Sequence, residues 1–392
     1  MTPARGLKIA QVATSDISIR FLLLDHIAAL QRQGHEVTAV CAPGEWLEDI
    51  RRAGVPVATV PMARQPRPFA DLHSLSALTR CFQERRFDVV HTHTPKAGLL
   101  GPLAARSAGV PRIVHTIHGL LFHDAMPSGR QLFYWLPEKL TAICAHHLLS
   151  QSREDIDVAV QRKLCRPEKI RYIGNGIDVE QFSPPTPAGR AAARAAHAIA
   201  SDEFVVGSIG RLVAEKGFNE LFAASEHLKY RNQKVRIIVI GPEEPGRSDA
   251  IPVHRKRDLS DRGIIQFAGH QTALQPWLAC FDAFALASHR EGIPRVCLEA
   301  AASGLPVVAC DIRGCREVVL HEKTGLLVPV NSPAALAAAI ELLLLDREAA
   351  RRMGQKGVEH VRAGFDQRDV LKRLCDFYDE LSRNLPEREA AR

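Results

Sequence analysis

Twice along this chain, short runs rich in Val and Ile alternate with stretches whose apolar residues recur every three to four positions. In the front half the runs are LKIAQVA (7–13), HEVTAVC (35–41), VPVATV (55–60), FDVVHTH (87–93), RIVHTIHG (112–119) and IRYIGNG (170–176). The helical stretches between them include FLLLDHIAALQRQG (21–34), where Gly34 supplies the stop. Strand, helix, strand, repeated, buries its apolar residues as a parallel sheet covered by helices on both faces. The alternation breaks at SPPTPAGRAAARAAHAIASDE (183–203), then restarts with FVVGSIG (204–210), VRIIVIG (235–241), IIQFAG (264–269), FDAFALAS (281–288), PVVAC (306–310) and TGLLVPV (324–330). The expected architecture is α/β: a doubly wound Rossmann-like domain over 1–182, a linker over 183–203 and a second such domain over 204–365. A C-terminal helix and charged tail over 366–392 are expected to pack back on the first domain. The helical end of the chain reads as ALAAAIELLLLDREAARRMGQKG (335–357) and VLKRLCDFYDELSRN (370–384).

Two open parallel sheets of this kind take ligands beyond the C-terminal ends of their strands, in the cleft the two domains face, so chemistry is to be sought in the loops that follow strands. Composition narrows the ligand classes. The 51 Lys and Arg exceed the 44 Asp and Glu by only seven, a surplus compatible with a phosphorylated ligand or an anionic membrane surface. With three Trp and four Tyr, a nucleic-acid partner is not expected. The nine Cys are odd in number and scattered, with no C-x-x-C pair, which predicts a reducing cytoplasm. The N-terminal stretch reads as a strand rather than a signal peptide, since Asp16 interrupts its apolar run. No window approaches the roughly 18 uncharged apolar residues of a membrane span; QLFYWLPEKLTAICAHHLL (131–149) comes nearest and holds Glu138 and Lys139.

The loop after 204–210 reads GRLVAEKG, placing Gly210, Arg211 and Lys216 beyond a strand end. Arg grips a phosphate through parallel hydrogen bonds, and Lys adds a compact charge on its neighbour. After the strand 281–288 comes SHREGIPRVCLEAAASGLPVVACDIRGCREVV (288–319), in which Glu291 and Glu299 are eight residues apart. On a continuous helix they would stand about 12 Å apart, the scale of a sugar nucleotide rather than of one sugar ring. The segment from Gly292 through Ile293, Pro294 and Arg295 to Val296 would present its backbone N–H groups, which Pro294 lacks, to a diphosphate. Glu299 is a carboxylate on an otherwise apolar helix face, so it needs a partner.

In the front half, VVHTHTPKAG (89–98) and VHTIHG (114–119) end strands. His91, His93, His115 and His118 have spacings that bring imidazoles together, but no carboxylate or thiolate lies adjacent, and His91 and His93 share a strand face as core histidines do. His118 sits beside Gly119 in a strand-end loop. Lys96 is placed to bind an acceptor phosphate or the donor, or is a surface lysine. In the first loop, ATSDISIRFL (13–22), Ser15, Asp16 and Ser18 either contact ligand or cap the following helix, with capping the reading adopted.

The E-x7-E element from Glu291 to Glu299, with GRLVAEKG and NGID (175–178), resembles the retaining glycosyltransferases of family 4, over nearly the whole chain. That resemblance implies the GT-B fold and a nucleotide-diphosphate sugar, with a UDP-sugar expected, as substrate rather than cofactor; it implies no metal. It also implies that Glu291 contacts the donor sugar, Glu299 the ribose hydroxyls, and Arg211 and Lys216 the diphosphate, while His118 lies against the sugar. Base contacts around Phe267 to His270 would be mostly backbone. The first loop lacks the Gly-Gly pair common in the family. The loops containing HTHTPKAG and REGIP…DIRGCREVV are similar to those of enzymes that build bacterial surface polysaccharides on polyprenyl diphosphate. The acceptor is then a lipid-linked or soluble saccharide, docked on the front domain. Arg64, Arg67, Arg80, Arg85 and Arg86, with 119–140, suit peripheral contact with the cytoplasmic face of an anionic membrane. The rival readings are a sugar-nucleotide 2-epimerase, which needs no acceptor, and a non-catalytic nucleotide-sugar sensor. A dinucleotide oxidoreductase is disfavoured because no G-x-G-x-x-G follows the first strand.

Overall fold

Strands form where the Val and Ile runs stand, because β-branched side chains pack well on a pleated surface buried from both sides. The structure is a computed structural model and describes residues 6–63, 65–122, 126–231 and 235–385; Arg64 and the last seven residues of the expected tail lie outside them. The chain divides into two units, Met1–Gly174 with Asp369–Arg392, and Asn175–Arg368. In the first, β1 (Lys8–Ser15), β2 (Glu36–Ala42), β3 (Val57–Thr59), β4 (Val89–Thr92), β5 (Arg112–Ile117), β6 (His147–Ser150) and β7 (Ile170–Tyr172) form one sheet in the order β3-β2-β1-β4-β5-β6-β7. In the second, β8 (Phe204–Ile209), β9 (Val235–Ile240), β10 (Ile265–Gly269), β11 (Ala283–Leu286), β12 (Val307–Cys310) and β13 (Gly325–Val328) stand as β10-β9-β8-β11-β12-β13. Every pairing in both sheets is parallel. Both sheets are therefore α/β layers of the kind the alternation predicts.

Each sheet is buried on both faces. In the second unit one core gathers Phe204, Val206 and Leu221, and another, on the opposite face, gathers Val205, Phe281 and Leu298. All six residues of β8 and all four of β11 and β12 are buried, which is why those segments read as unbroken apolar runs. In the first unit the closing helix, Gln367–Arg383, lays Leu374, Phe377, Tyr378 and Leu381 into the core that also holds Ile9, Val37 and Leu149. A two-armed bond from Arg171 to Glu380, 2.5 and 2.8 Å, holds the exposed side of that helix.

Three details depart from the expectation. Strand β6 is additional: the helix Ser128–Cys144 runs almost directly into it, with no Gly or Pro to mark the change. The stretch 335–357 is two helices, Pro333–Leu345 and Arg347–Gly364, broken at Asp346, whose side chain accepts from the Ala349 N–H at 2.8 Å and caps the second. Residues 183–203 carry a helix, Pro187–Ala196, pinned to the start of β11 where Arg190 and Arg194 both reach the Asp282 carboxylate at 2.7 and 3.0 Å. Among the described residues no helix is long and apolar enough to cross a membrane.

Candidate functional site

The order of strands reverses between β1 and β4 in one sheet and between β8 and β11 in the other. At such a switch point neighbouring connections leave in opposite directions and open a crevice at the strand C-termini. The loops at the second of these points carry Arg211, Lys216 and Glu291.

After β8 the backbone passes Gly210 and Arg211 into a single 3-10 turn, Ala214–Lys216, which ends at Gly217 with φ of 70°. A Cβ at Gly217 would stand 1.9 Å from the Ala287 carbonyl oxygen, so only glycine lets this turn press on the end of β11. The close approach delivers Lys216 Nζ to 2.5 Å from Glu291 Oε1, with both side chains mostly buried. Arg211 stays more open, its Nη1 3.9 Å from Glu244. Beside them Arg290 donates to Glu215 at 2.7 and 3.2 Å. Burial opposes ionisation of Glu215, but Arg290, Lys216 and Arg211 prevail and hold its carboxyl below the usual range. The loops thus form a lattice of alternating charges with Arg211 at its open edge.

Glu291 lies in an irregular turn, and the following helix begins only at Arg295 and ends at Ala302. The condition under which the two carboxylates would be 12 Å apart, continuous helix from 291 to 299, is therefore not met. Pro294 bars an earlier start, since its own N–H is missing and it holds the N-cap position with ψ of 102°. Two contacts fix the turn. Asn175 Nδ2 donates to the Ile293 carbonyl at 3.2 Å, while its Oδ1 accepts from the Gly176 N–H at 3.0 Å. Gly314, with φ of 74°, lies so close that a Cβ there would meet the Gly292 carbonyl oxygen. The NGID motif is therefore a clamp on the Gly292–Val296 segment. One helical turn further, Glu299 is buried, and its Oε2 has no hydrogen-bond partner. Burial drives its carboxyl up to about 7, with Arg295 pulling it back in part.

At the C-terminal ends of β8, β9 and β10 a cavity of about 280 Å³ is lined by Leu212, Gly241, Lys256, Phe267, Gly269 and His270 among others. Its volume suits a small planar ring. Lys256 pairs with Glu243 across its rim and lies 5.8 Å from the Phe267 ring centroid.

The first unit brings together a different set. His118 Nε2 and His93 Nδ1 are 2.9 Å apart, and His93 Nε2 donates to Gln11 Oε1 at 2.6 Å. Burial holds His118 down to about 3 and His115 to about 4, and holds His91 and His93 well below the usual imidazole range. All four rings are neutral at physiological pH. Among the described residues no group of three or more His, Cys, Asp or Glu is arranged to hold a metal ion. Lys96 is not at the free surface: its Nζ lies 2.6 Å from Asp71 Oδ1 and also meets the Gln65 carbonyl. Ser15 ends β1 and makes no side-chain cap; its Oγ lies 3.2 Å from Ser18 Oγ. The capping expected of this loop fails because Asp16 turns inward, accepting from the Trp46 and Ile17 N–H groups at 2.7 and 2.8 Å. Gln11 and Tyr378, which bear on His118 through His93, carried no sequence signal beyond a polar atom on an apolar strand or helix face.

Two family models match this chain, that of glycosyl transferases group 1 over residues 189–360 and that of the glycosyl transferase 4-like domain over residues 23–176. It is 27% identical over 383 residues to the Escherichia coli UDP-Gal:alpha-D-GlcNAc-diphosphoundecaprenol alpha-1,3-galactosyltransferase, covering 96% of this chain and 97% of that protein. It is 30% identical over 320 residues to a D-inositol 3-phosphate glycosyltransferase of Xylanimonas cellulosilytica, covering 77% and 74% of the two. Among solved structures, the Anabaena protein Alr3699/HepE in complex with UDP matches with a TM-score of 0.79 at 22% identity, over 95% of this chain and 100% of that one. That likeness carries the fold, GT-B.

Proposed function

We propose, from the premise that this chain belongs to the glycosyl transferase group 1 family, that it moves a hexose or N-acetylhexosamine from a UDP-sugar to a saccharide on polyprenyl diphosphate, with retention at the anomeric carbon. The product belongs to cell-surface polysaccharide synthesis. The observation that carries the donor assignment is Glu299: a buried carboxylate with an unpartnered oxygen needs donors, and a ribose diol supplies two. The other donor contacts follow from chemistry. Arg211 and Lys216 take the diphosphate, the N–H groups of Gly292, Ile293, Arg295 and Val296 assist, and the cavity beside Phe267 and His270 takes the base. Glu291 and His118 bind sugar hydroxyls. The E. coli relative's name gives UDP-galactose as donor and an undecaprenyl diphosphate-linked GlcNAc as acceptor, which supports both halves of the reading.

In the reaction the bond from the anomeric carbon to the β-phosphate oxygen breaks as the acceptor hydroxyl forms the new glycosidic bond on the same face. The departing phosphate takes the acceptor's proton. Negative charge builds on that phosphate, and Arg211 and Lys216, both in the loop after β8, stabilise it. Glu291 and the neutral His118 orient the sugar.

The acceptor is assigned to the first unit. There the helix Ser128–Cys144 exposes Leu132, Leu136, Leu140 and Ile143, spaced four, four and three residues apart and so on one face, with Phe133 beside them. An adjoining apolar cavity of about 480 Å³ is lined by Leu99, Leu136, Pro137, Leu140 and Ile143, with Lys139 at its edge. This face suits the polyprenyl chain and the bilayer that carries it, with Arg130 exposed in the first turn of the same helix as a charge for anionic headgroups. The test is mass spectrometry of polyprenyl-diphosphate saccharides incubated with each UDP-sugar. One added sugar is expected, and the anomeric proton coupling of the purified product should show the donor's configuration. An isomerised nucleotide sugar without acceptor would support an epimerase, and binding without turnover a sensor.

A further inference from the structure

A chain of buried hydrogen bonds in the first unit runs from His118 to the closing helix. Tyr378, fully buried on that helix, has its hydroxyl 2.9 Å from His91 Nδ1 and 3.3 Å from Gln11 Nε2. His91 Nε2 lies 2.7 Å from Thr116 Oγ1. Gln11 Oε1 is 2.6 Å from His93 Nε2, and His93 Nδ1 is 2.9 Å from His118 Nε2. Gln11, His91, His93 and Thr116 are each 1% exposed, so water does not compete for these bonds.

Directions along the chain follow from one amide. A separation of 2.6 Å belongs to an oxygen accepting from an N–H, whereas the amide nitrogen makes only the longer contacts of 3.3 and 3.5 Å. Gln11 Oε1 therefore accepts, and His93 carries its proton on Nε2. A neutral imidazole has one proton, so His93 Nδ1 accepts, and the donor to it is His118 Nε2–H. At the other end the Gln11 N–H donates to the Tyr378 oxygen, and the Tyr378 O–H donates to His91 Nδ1. His91 then donates from Nε2 to Thr116. Rotating the amide by half a turn would reverse every donor and leave His118 protonated on Nδ1 instead. The 2.6 Å contact with His93 opposes that rotation, since it would place the amide nitrogen there, and Tyr378 supports the orientation by accepting from the Gln11 N–H at 3.3 Å.

We propose that Tyr378, acting through Gln11 and His93, is a positioning residue that holds His118 as the Nε2–H tautomer, so that its Nδ1 offers a lone pair to a hydroxyl of the sugar. The inference rests on the reading of His118 as a sugar contact. It specifies the chemistry: His118 accepts from a hydroxyl and selects sugars with a donor there. Gln151, His26 and His115 also lie near this ring. Burial of the rings supports the same picture, since a charged imidazole would carry both protons and leave no acceptor.

The experiment is a long-range proton–nitrogen correlation spectrum of the full chain labelled with nitrogen-15 histidine, with His118 assigned by its loss in His118→Asn. The expected wild-type result is a bare Nδ1 and a protonated Nε2 on both His118 and His93. Tyr378→Phe keeps the ring but loses the hydroxyl, and should give both tautomers at His118 with kcat/KM for the donor down about tenfold. Should that variant fail to fold, Gln11→Met removes the central amide and reads the same outcome. In a His93→Phe background, Tyr378→Phe should have no further effect on His118. A wild-type His118 protonated on Nδ1, or one unchanged by Tyr378→Phe or Gln11→Met, overturns the proposal. The spectrum needs neither donor nor acceptor, so the expected tautomer in an enzyme that transfers nothing would count against the proposed function alone.

Discussion

Lys216 Nζ and Glu291 Oε1 stand 2.5 Å apart, although the residues are 75 positions apart and follow different strands. The pair exists because β8 and β11 are neighbours and because Gly217 lets one loop rest on the end of the other strand. The two charges satisfy each other. Under the proposed function a bound diphosphate would compete for Lys216, and Glu291 would become available to sugar hydroxyls.

Removing the cation should thus damage both the transition state and the fold. Lys216→Ala is expected to lower kcat/KM by about 10²- to 10³-fold, the range for losing one preorganised charge at a developing anion. The thermal midpoint should fall as well, because Glu291 is left mostly buried without its cation. Steady-state kinetics beside a melting curve check both halves.

Glu299 makes donor binding depend on pH. Its carboxyl is raised to about 7 by burial, above the value in the unfolded chain, so the folded state binds the proton more tightly and stability falls as pH rises between roughly 4.5 and 7. Ribose hydroxyls favour the ionised form, so UDP binding releases a proton and affinity should rise from pH 6 to pH 8. Glu299→Gln should flatten that dependence and stabilise the protein above pH 8 by up to roughly 3 kcal/mol. Calorimetric titrations in buffers of different ionisation enthalpy, with melts across the same range, read both effects.

The two glycines of GRLVAEKG should behave differently. A Cβ at Gly217 collides with the Ala287 carbonyl in a left-handed backbone, whereas one at Gly210 has its nearest neighbour, Phe218, at 3.7 Å. Gly217→Ala is expected to cost about 3 kcal/mol or more, and Gly210→Ala less than about 1 kcal/mol. Chemical denaturation separates them.

Contact with a bilayer should depend on the exposed stripe of the helix Ser128–Cys144. Replacing Leu136 and Ile143, 55% and 59% exposed, with Asp should reduce sedimentation with vesicles containing anionic lipid at least tenfold, since it removes apolar area and adds repulsion. The melting curve should be unchanged, and activity on a short water-soluble acceptor retained.

Local signals account for much of this structure and stop where distance begins. The strands at the second switch point were legible because each is buried on both faces and so reads as unbroken Val, Ile, Phe and Ala. Arg211, Lys216, Glu291 and Glu299 were legible because charge beyond a strand end, or on an apolar helix face, is conspicuous. The Asn175 clamp lay in a quoted motif, but its partner, the Ile293 carbonyl, is a backbone atom with no signature of its own. Gln11 and Tyr378 meet across 367 positions, and no periodicity reports such a pairing. The pair of Lys96 with Asp71 was illegible for the same reason, since Asp71 is on a separate helix. Strand β6 escaped because four apolar-rich residues after a helix, with no breaker, read as more helix.

The most direct measurement is release of nucleotide from a panel of UDP-, GDP- and ADP-sugars, with and without a polyprenyl-diphosphate saccharide extract, by the wild type and by Glu291→Ala. The account predicts release from a UDP-sugar only when the acceptor is present, and its loss in the variant. Release that ignores the acceptor, or that survives in Glu291→Ala, would contradict it.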